Sequence, residues 1–98
     1  MTRYRVLAWR GIPLQIKVYE DGLRPVSKQL PPWFTEHADR VAMQEGLDAS
    51  DAYLEQLEWS EYIEREGSAK DVAEAVLAEL EAEWAPVRRR WEQTGELG

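Results

Sequence analysis

Cysteine is absent from the chain, and that absence removes disulfides, thiolate nucleophiles, cysteine-based zinc sites and cysteine-ligated iron–sulfur clusters. Stability must then come from packing. Histidine occurs once, as His37, so no arrangement needing two imidazoles can form within one chain. Glycines are scattered at positions 11, 22, 46, 67, 95 and 98 and build no phosphate-cradling loop. Serines 27, 50, 60 and 68 lie in no nucleophile-elbow context. No stretch approaches the roughly 20 apolar residues of a membrane span, and the opening Met1-Thr2-Arg3-Tyr4-Arg5 has neither the apolar run nor the cleavage site of a secretory leader. A cytoplasmic location is expected, with no enzymatic activity, no cofactor, no metal and no membrane partner.

What is present fits a small globular domain. The 98 residues suffice for one modest core, and the 44% hydrophobic and 32% charged fractions with ten aromatic residues argue against disorder. The net charge of −7 speaks against general nucleic-acid binding. Its distribution is uneven, +4 over residues 1–28 and −11 over residues 29–98. A basic sheet meeting acidic helices within one domain accounts for this split, and a basic patch for an anionic ligand is the functional alternative.

Residues Tyr4 to Trp9 alternate with a strand period, Tyr4, Val6 and Ala8 on one side and Arg3, Arg5, Leu7 and Trp9 on the other. After Gly11-Ile12-Pro13, Leu14, Ile16 and Val18 alternate against Gln15, Lys17 and Tyr19. Glu20-Asp21-Gly22 marks a turn, and Val26 to Leu30 reads as a short third strand. Pro31-Pro32 then precedes a helix from near Trp33 to a stop at Gly46. Asp48 is a candidate N-cap for a short helix through Asp51, Tyr53 and Leu54, and Leu57, Trp59 and Ile63 predict a fourth strand interrupted at Glu61 and ended at Gly67. Ser68-Ala69-Lys70-Asp71 resembles a capping box with aspartate in place of glutamate. It opens the longest element, a helix with Val72, Val76, Leu80, Trp84, Val87 and Trp91 along one stripe. Pro86 predicts a kink or restart near Ala85. The fold class is therefore α+β, a three- to four-stranded antiparallel sheet with helices packed on one face and a long C-terminal helix kinked near Pro86. Residues 1–98 form one domain, with a core over about 3–82, a helical extension over 83–94 and a frayed tail over 95–98.

Few residues are candidates for chemistry. His37 sits at the edge of the core-facing stripe of its helix, which suits a structural or surface histidine. Asp48 and Asp51 could together hold a hard cation, but helix capping explains both, and the calcium-loop pattern is missing. The run Arg88-Arg89-Arg90 is the sharpest charge feature and a candidate anion contact, set against favourable interaction with the helix end and pairing to nearby glutamates. Trp59 and Trp84 fall on core-facing parity, which leaves Trp9, Trp33 and Trp91 as candidates for an exposed patch.

Several segments taken in order resemble a known family: Arg-Tyr-Arg-Val-Leu-Ala-Trp-Arg-Gly-Ile-Pro at the opening, then Val-Ser-Lys-Gln-Leu-Pro, Ala-Met-Gln-Glu-Gly, Ser-Asp-Ala-Tyr-Leu and Glu-Arg-Glu-Gly-Ser-Ala-Lys-Asp-Val-Ala. They look like the small bacterial virulence factor domain, which is also attached to conserved virulence factor C proteins. The resemblance covers about residues 3–82, leaving Pro86 and Trp91 outside it. It implies a phenotype of longer relatives and no molecular activity, so no functional residue is carried over. It also associates stand-alone members with one-carbon and corrinoid methyl-transfer enzymes.

The function these readings predict is a non-enzymatic accessory or protein-interaction domain. Its expected docking surface combines Arg3, Arg5, Trp9, Lys17, Tyr19 and Trp33, with a protein as partner. The alternative is a small-anion or metabolite-binding accessory protein in one-carbon or corrinoid metabolism, using Arg10, Arg24, Lys28 or the Arg88–Arg90 run. A homodimer through the tryptophan side of the last helix is a third possibility.

Overall fold

The computed structural model describes residues 1–46 and 51–94. Strands β1 (Thr2–Trp9) and β2 (Ile12–Glu20) form an antiparallel hairpin closed by Arg10 and Gly11. Both turn residues have positive φ, 49° and 87°, the signs that a two-residue turn needs to match strand twist. Arginine is an unusual occupant of the first position; its guanidinium is held by Glu45. Pairing slips by one residue between Leu7 and Ala8, so Ala8 faces Pro13 and Trp9 faces Ile12. A proline within a strand is tolerated at such an irregularity, where a ladder donor is dispensable.

A turn closed by Leu23 N–H donating to Glu20 O at 3.0 Å, with Gly22 at φ 81°, leads to β3 (Val26–Gln29). The helix α1 (Pro32–Gln44) follows with proline at its first position and ends at Glu45 and Gly46, the latter at φ 72°. A short helix α2 (Asp51–Glu55) then precedes the second edge of the sheet. The proposed cap Asp48 lies outside the described residues, as does the 95–98 tail.

Where one interrupted strand was expected, two short ones form. Strands β4 (Leu57–Trp59) and β5 (Ile63–Arg65) both pair antiparallel with β1, at Leu7–Trp9 and Thr2–Tyr4 respectively. Ser60 bridges the gap: its N–H donates to Val6 O at 2.8 Å, and its hydroxyl accepts the Val6 N–H at 2.9 Å. The side chain thus replaces the missing ladder acceptor. The result is a five-stranded antiparallel sheet ordered β3-β2-β1-β4, with β5 beside β1, rather than three or four strands.

The helices cover one face. Ile16 and Val18 are fully buried beneath Phe34 and Ala38 of α1 and Val72, Ala73 and Val76 of α3 (Ala69–Thr94). The intervening Gln15, Lys17 and Tyr19 stay half-exposed, as the strand period requires. Helix α3 starts where Ser68 Oγ accepts from Asp71 N–H at 3.2 Å and Glu20 Oε1 accepts from Ala69 N–H at 2.7 Å. Ser68 plays the expected capping role, and Glu20 supplies a second cap from across the fold. The helix continues through Pro86 as one element, so the restart expected near Ala85 does not occur; the proline is exposed. Among the described residues no helix is long and apolar enough to cross a membrane.

Candidate docking face of the sheet

The face turned away from the helices gathers cations and aromatic rings. Odd positions of β1 place Arg3 and Arg5 beside Tyr19 and Lys17 of β2, in the register Arg3↔Tyr19 and Arg5↔Lys17. The β4–β5 edge adds Trp59 and Tyr62. The Arg5 guanidinium carbon lies 4.4 Å from the Trp59 ring centre, 5.1 Å from Tyr62 and 5.9 Å from Tyr19. Arg3 lies 5.0 Å from Tyr62 and 5.8 Å from Tyr19, and the Lys17 ammonium is 5.7 Å from Tyr19. Tyr19 and Tyr62 meet edge to face at 5.4 Å. These distances fall within cation–π range.

Positive charge governs the electrostatics of this cluster. Among the described residues no carboxylate forms an ion pair with Arg3, Arg5 or Lys17; Glu64 is opposite Arg3 in register without closing on it. Arg5 Nε is buried and makes no hydrogen bond. Desolvation pushes the Tyr19 phenol up, but hydrogen bonding with Arg5 and Tyr62 and the charges of Arg5 and Lys17 outweigh it and hold the phenol below its usual value.

Two residues assigned to this surface from sequence do not belong to it. Trp9 is fully buried: the register slip sets it opposite Ile12, Tyr53 stacks on it at 5.2 Å, and its indole N–H donates to Tyr53 O at 2.8 Å. Trp33, 4% exposed, packs between α1 and α3, parallel to the His37 ring at 5.0 Å and edge-on to Trp91 at 6.4 Å. Conversely Trp59, expected in the core, lies with Tyr62 beside Arg5 on the open face of the sheet. Alternation of Trp59 with Glu58 and Ser60 fixes a parity but not which side of the sheet that parity faces, and Tyr62 lies in the break between strands.

The remaining candidates do not converge. Arg88 pairs with Glu92 at 3.1 Å and approaches the Trp33 ring at 5.9 Å, Arg89 is exposed, and Arg90 is also engaged. Successive helical residues point about 100° apart, so this run cannot close on one anion. Hydrogen bonding to Arg10 holds the Glu45 carboxyl below its usual range, and Arg10 is thereby occupied. Arg24 and Lys28 are both exposed, and Lys28 sits on the helix-covered side of β3 opposite Ile16. A cavity of about 510 Å³ beside β1 and β4 sets Glu55, Glu58 and Glu61 against Arg10, a lining whose acidic excess repels anions. His37 is buried between Trp33 and Trp84 with Nδ1 unpartnered, and burial lowers its pKa. Among the described residues no cluster of three or more metal-ligating side chains forms.

No curated protein and no solved structure matches the chain. A family model described as "Virulence factor" matches residues 7–96. The match runs through Pro86 and Trp91, which corrects the expectation that the family segment stops near residue 82: the last turns of α3 are part of the shared domain, consistent with Trp84 and Trp91 closing over α1. The chain belongs to the Virulence factor family.

Proposed function

We propose that this chain is a non-enzymatic accessory domain that docks a partner protein on the open face of its sheet. The observation that carries this reading is the set of three cations, Arg3, Arg5 and Lys17, held over Tyr19, Trp59 and Tyr62 with no carboxylate among the described residues paired to them. Arginine, tyrosine and tryptophan are the side chains that dominate binding hot spots, because they offer large contact area with a polar tip. The cations favour an acidic surface on the partner and a binding rate that falls with ionic strength.

The test is affinity capture from the native cell extract with the unaltered chain and with an Arg5→Ala/Tyr62→Ala double variant. A stoichiometric partner retained by the first and lost by the second, at unchanged melting temperature, is the expected result. Equal capture by both removes this face as the docking site. Recovery of a small molecule with no protein would replace the reading with a ligand-binding one.

A further inference from the structure

A second site lies at the opposite edge of the sheet. Strand β3 ends the strand order, so among the described residues no strand pairs with one side of its backbone. Leu30 N–H donates to Leu14 O at 3.0 Å, and the register continues as Gln15↔Gln29, Ile16↔Lys28, Lys17↔Ser27 and Val18↔Val26. Bonded positions alternate along an antiparallel ladder. Val26 and Lys28 therefore bond to β2, and Ser27 and Gln29 turn their N–H and C=O groups outward. Beside this free edge runs a groove of about 410 Å³ between β3 and α3, lined by Val26, Lys28, Lys70, Ala73, Glu74 and Leu77. Ala73 is buried and Val26 and Leu77 are half-buried, forming an apolar floor, while Lys28 and Lys70 are exposed at its rim. Among the described residues neither lysine forms an ion pair, although Glu74 shares the groove.

We propose that β3 and this groove bind an extended segment of a partner protein by strand addition, with apolar side chains at alternate positions and a carboxylate beside Lys28 and Lys70. The added strand bonds to the outward groups of Ser27 and Gln29. Its groove-facing side chains rest on Val26, Ala73 and Leu77, because alternate residues of a paired strand share one face. A second copy of this chain is a poorer occupant: the antiparallel self-pairing that uses the outward groups of both Ser27 and Gln29 sets two Lys28 side chains opposite each other. The four-residue length of the strand, Pro25 before it and Lys28 within it limit indiscriminate pairing.

Selection of random linear peptides displayed against the intact chain, followed by hydrogen exchange of the complex, tests this. Enriched peptides are expected to alternate apolar residues and to carry an acidic residue, and to slow exchange at the Ser27 and Gln29 amides. Ser27→Pro removes an outward donor without touching the β2 ladder, and Leu77→Lys alters the groove floor. Each should weaken binding about tenfold, the loss of roughly one hydrogen bond or one apolar contact, whereas Arg5→Ala should not. Should Ser27→Pro fail to fold, the exchange pattern of the unaltered chain still decides. Absence of any enriched peptide, unchanged exchange at Ser27 and Gln29, or protection of those amides by self-association alone overturns the proposal.

Discussion

Trp9 and Tyr19 are both aromatic residues of the β1–β2 hairpin, yet they have opposite consequences when removed. Trp9 fills the core, and its indole N–H is satisfied by Tyr53 O. Trp9→Ala should cost about 3–5 kcal/mol, the cavity and transfer loss of a buried aromatic, whereas Tyr19→Ala on the half-exposed face should cost less than about 1 kcal/mol. Urea denaturation of the two variants measures the contrast, and similar losses would contradict the packing described. His37 provides a pH signature. Burial lowers its folded pKa below the usual value of about 6.5, so between those two values the unfolded chain binds the proton more readily. The His37 contribution is fully present above pH about 6.5 and is lost as pH falls from there toward the folded pKa. His37→Phe, which keeps a ring between Trp33 and Trp84, should flatten the stability profile over that window; an unaltered slope would assign the dependence to another group.

Helix α3 depends on its first turn. Proline and capping signals mark element ends because unpaired backbone groups there must find partners, and here Ser68 and Glu20 supply them from different parts of the chain. Ser68→Ala should lower stability by about 1 kcal/mol. Glu20→Gln keeps an oxygen acceptor but removes the charge favoured at a helix N-terminus, and should lose about 0.3–1 kcal/mol, with the deficit shrinking in high salt. Denaturation at two ionic strengths checks both; a salt-independent Glu20→Gln effect would exclude the dipole contribution. Turns, helix starts and the strand alternation were legible because local sterics and hydrogen bonding set them. The β4–β5 split was half legible: Glu61 marked the interruption, but the two-way bridge from Ser60 to Val6 depends on β1 lying alongside.

Across the whole molecule, the last turns of α3 close the core. Trp84 and Trp91 pack edge-on against Phe34, Trp33 and His37, and the family match includes them. A chain ended after Glu83 should therefore melt at a lower temperature and with less cooperativity, because Trp84 and Trp91 are partly buried and each contributes a part of the about 1.5–3 kcal/mol of a fully buried side chain. Retention of the full melting temperature would make the extension dispensable, as the sequence-based core boundary near residue 82 implies.

The sequence alone determined the α+β class, the hairpin, the caps and the absence of cysteine-based chemistry, because each follows from neighbours within a few residues or from composition. It also placed Arg3, Arg5, Lys17 and Tyr19 on one side of the sheet, since the strand period is local. Tertiary pairing decided the rest. A one-residue slip between β1 and β2 set Trp9 opposite Ile12 and buried it, and packing of α3 on α1 enclosed Trp33. The pairing of β4 with β1 carried Trp59 to the open face. Parity divides a strand into two sides, but only the partner strand and the covering helix determine which side meets water.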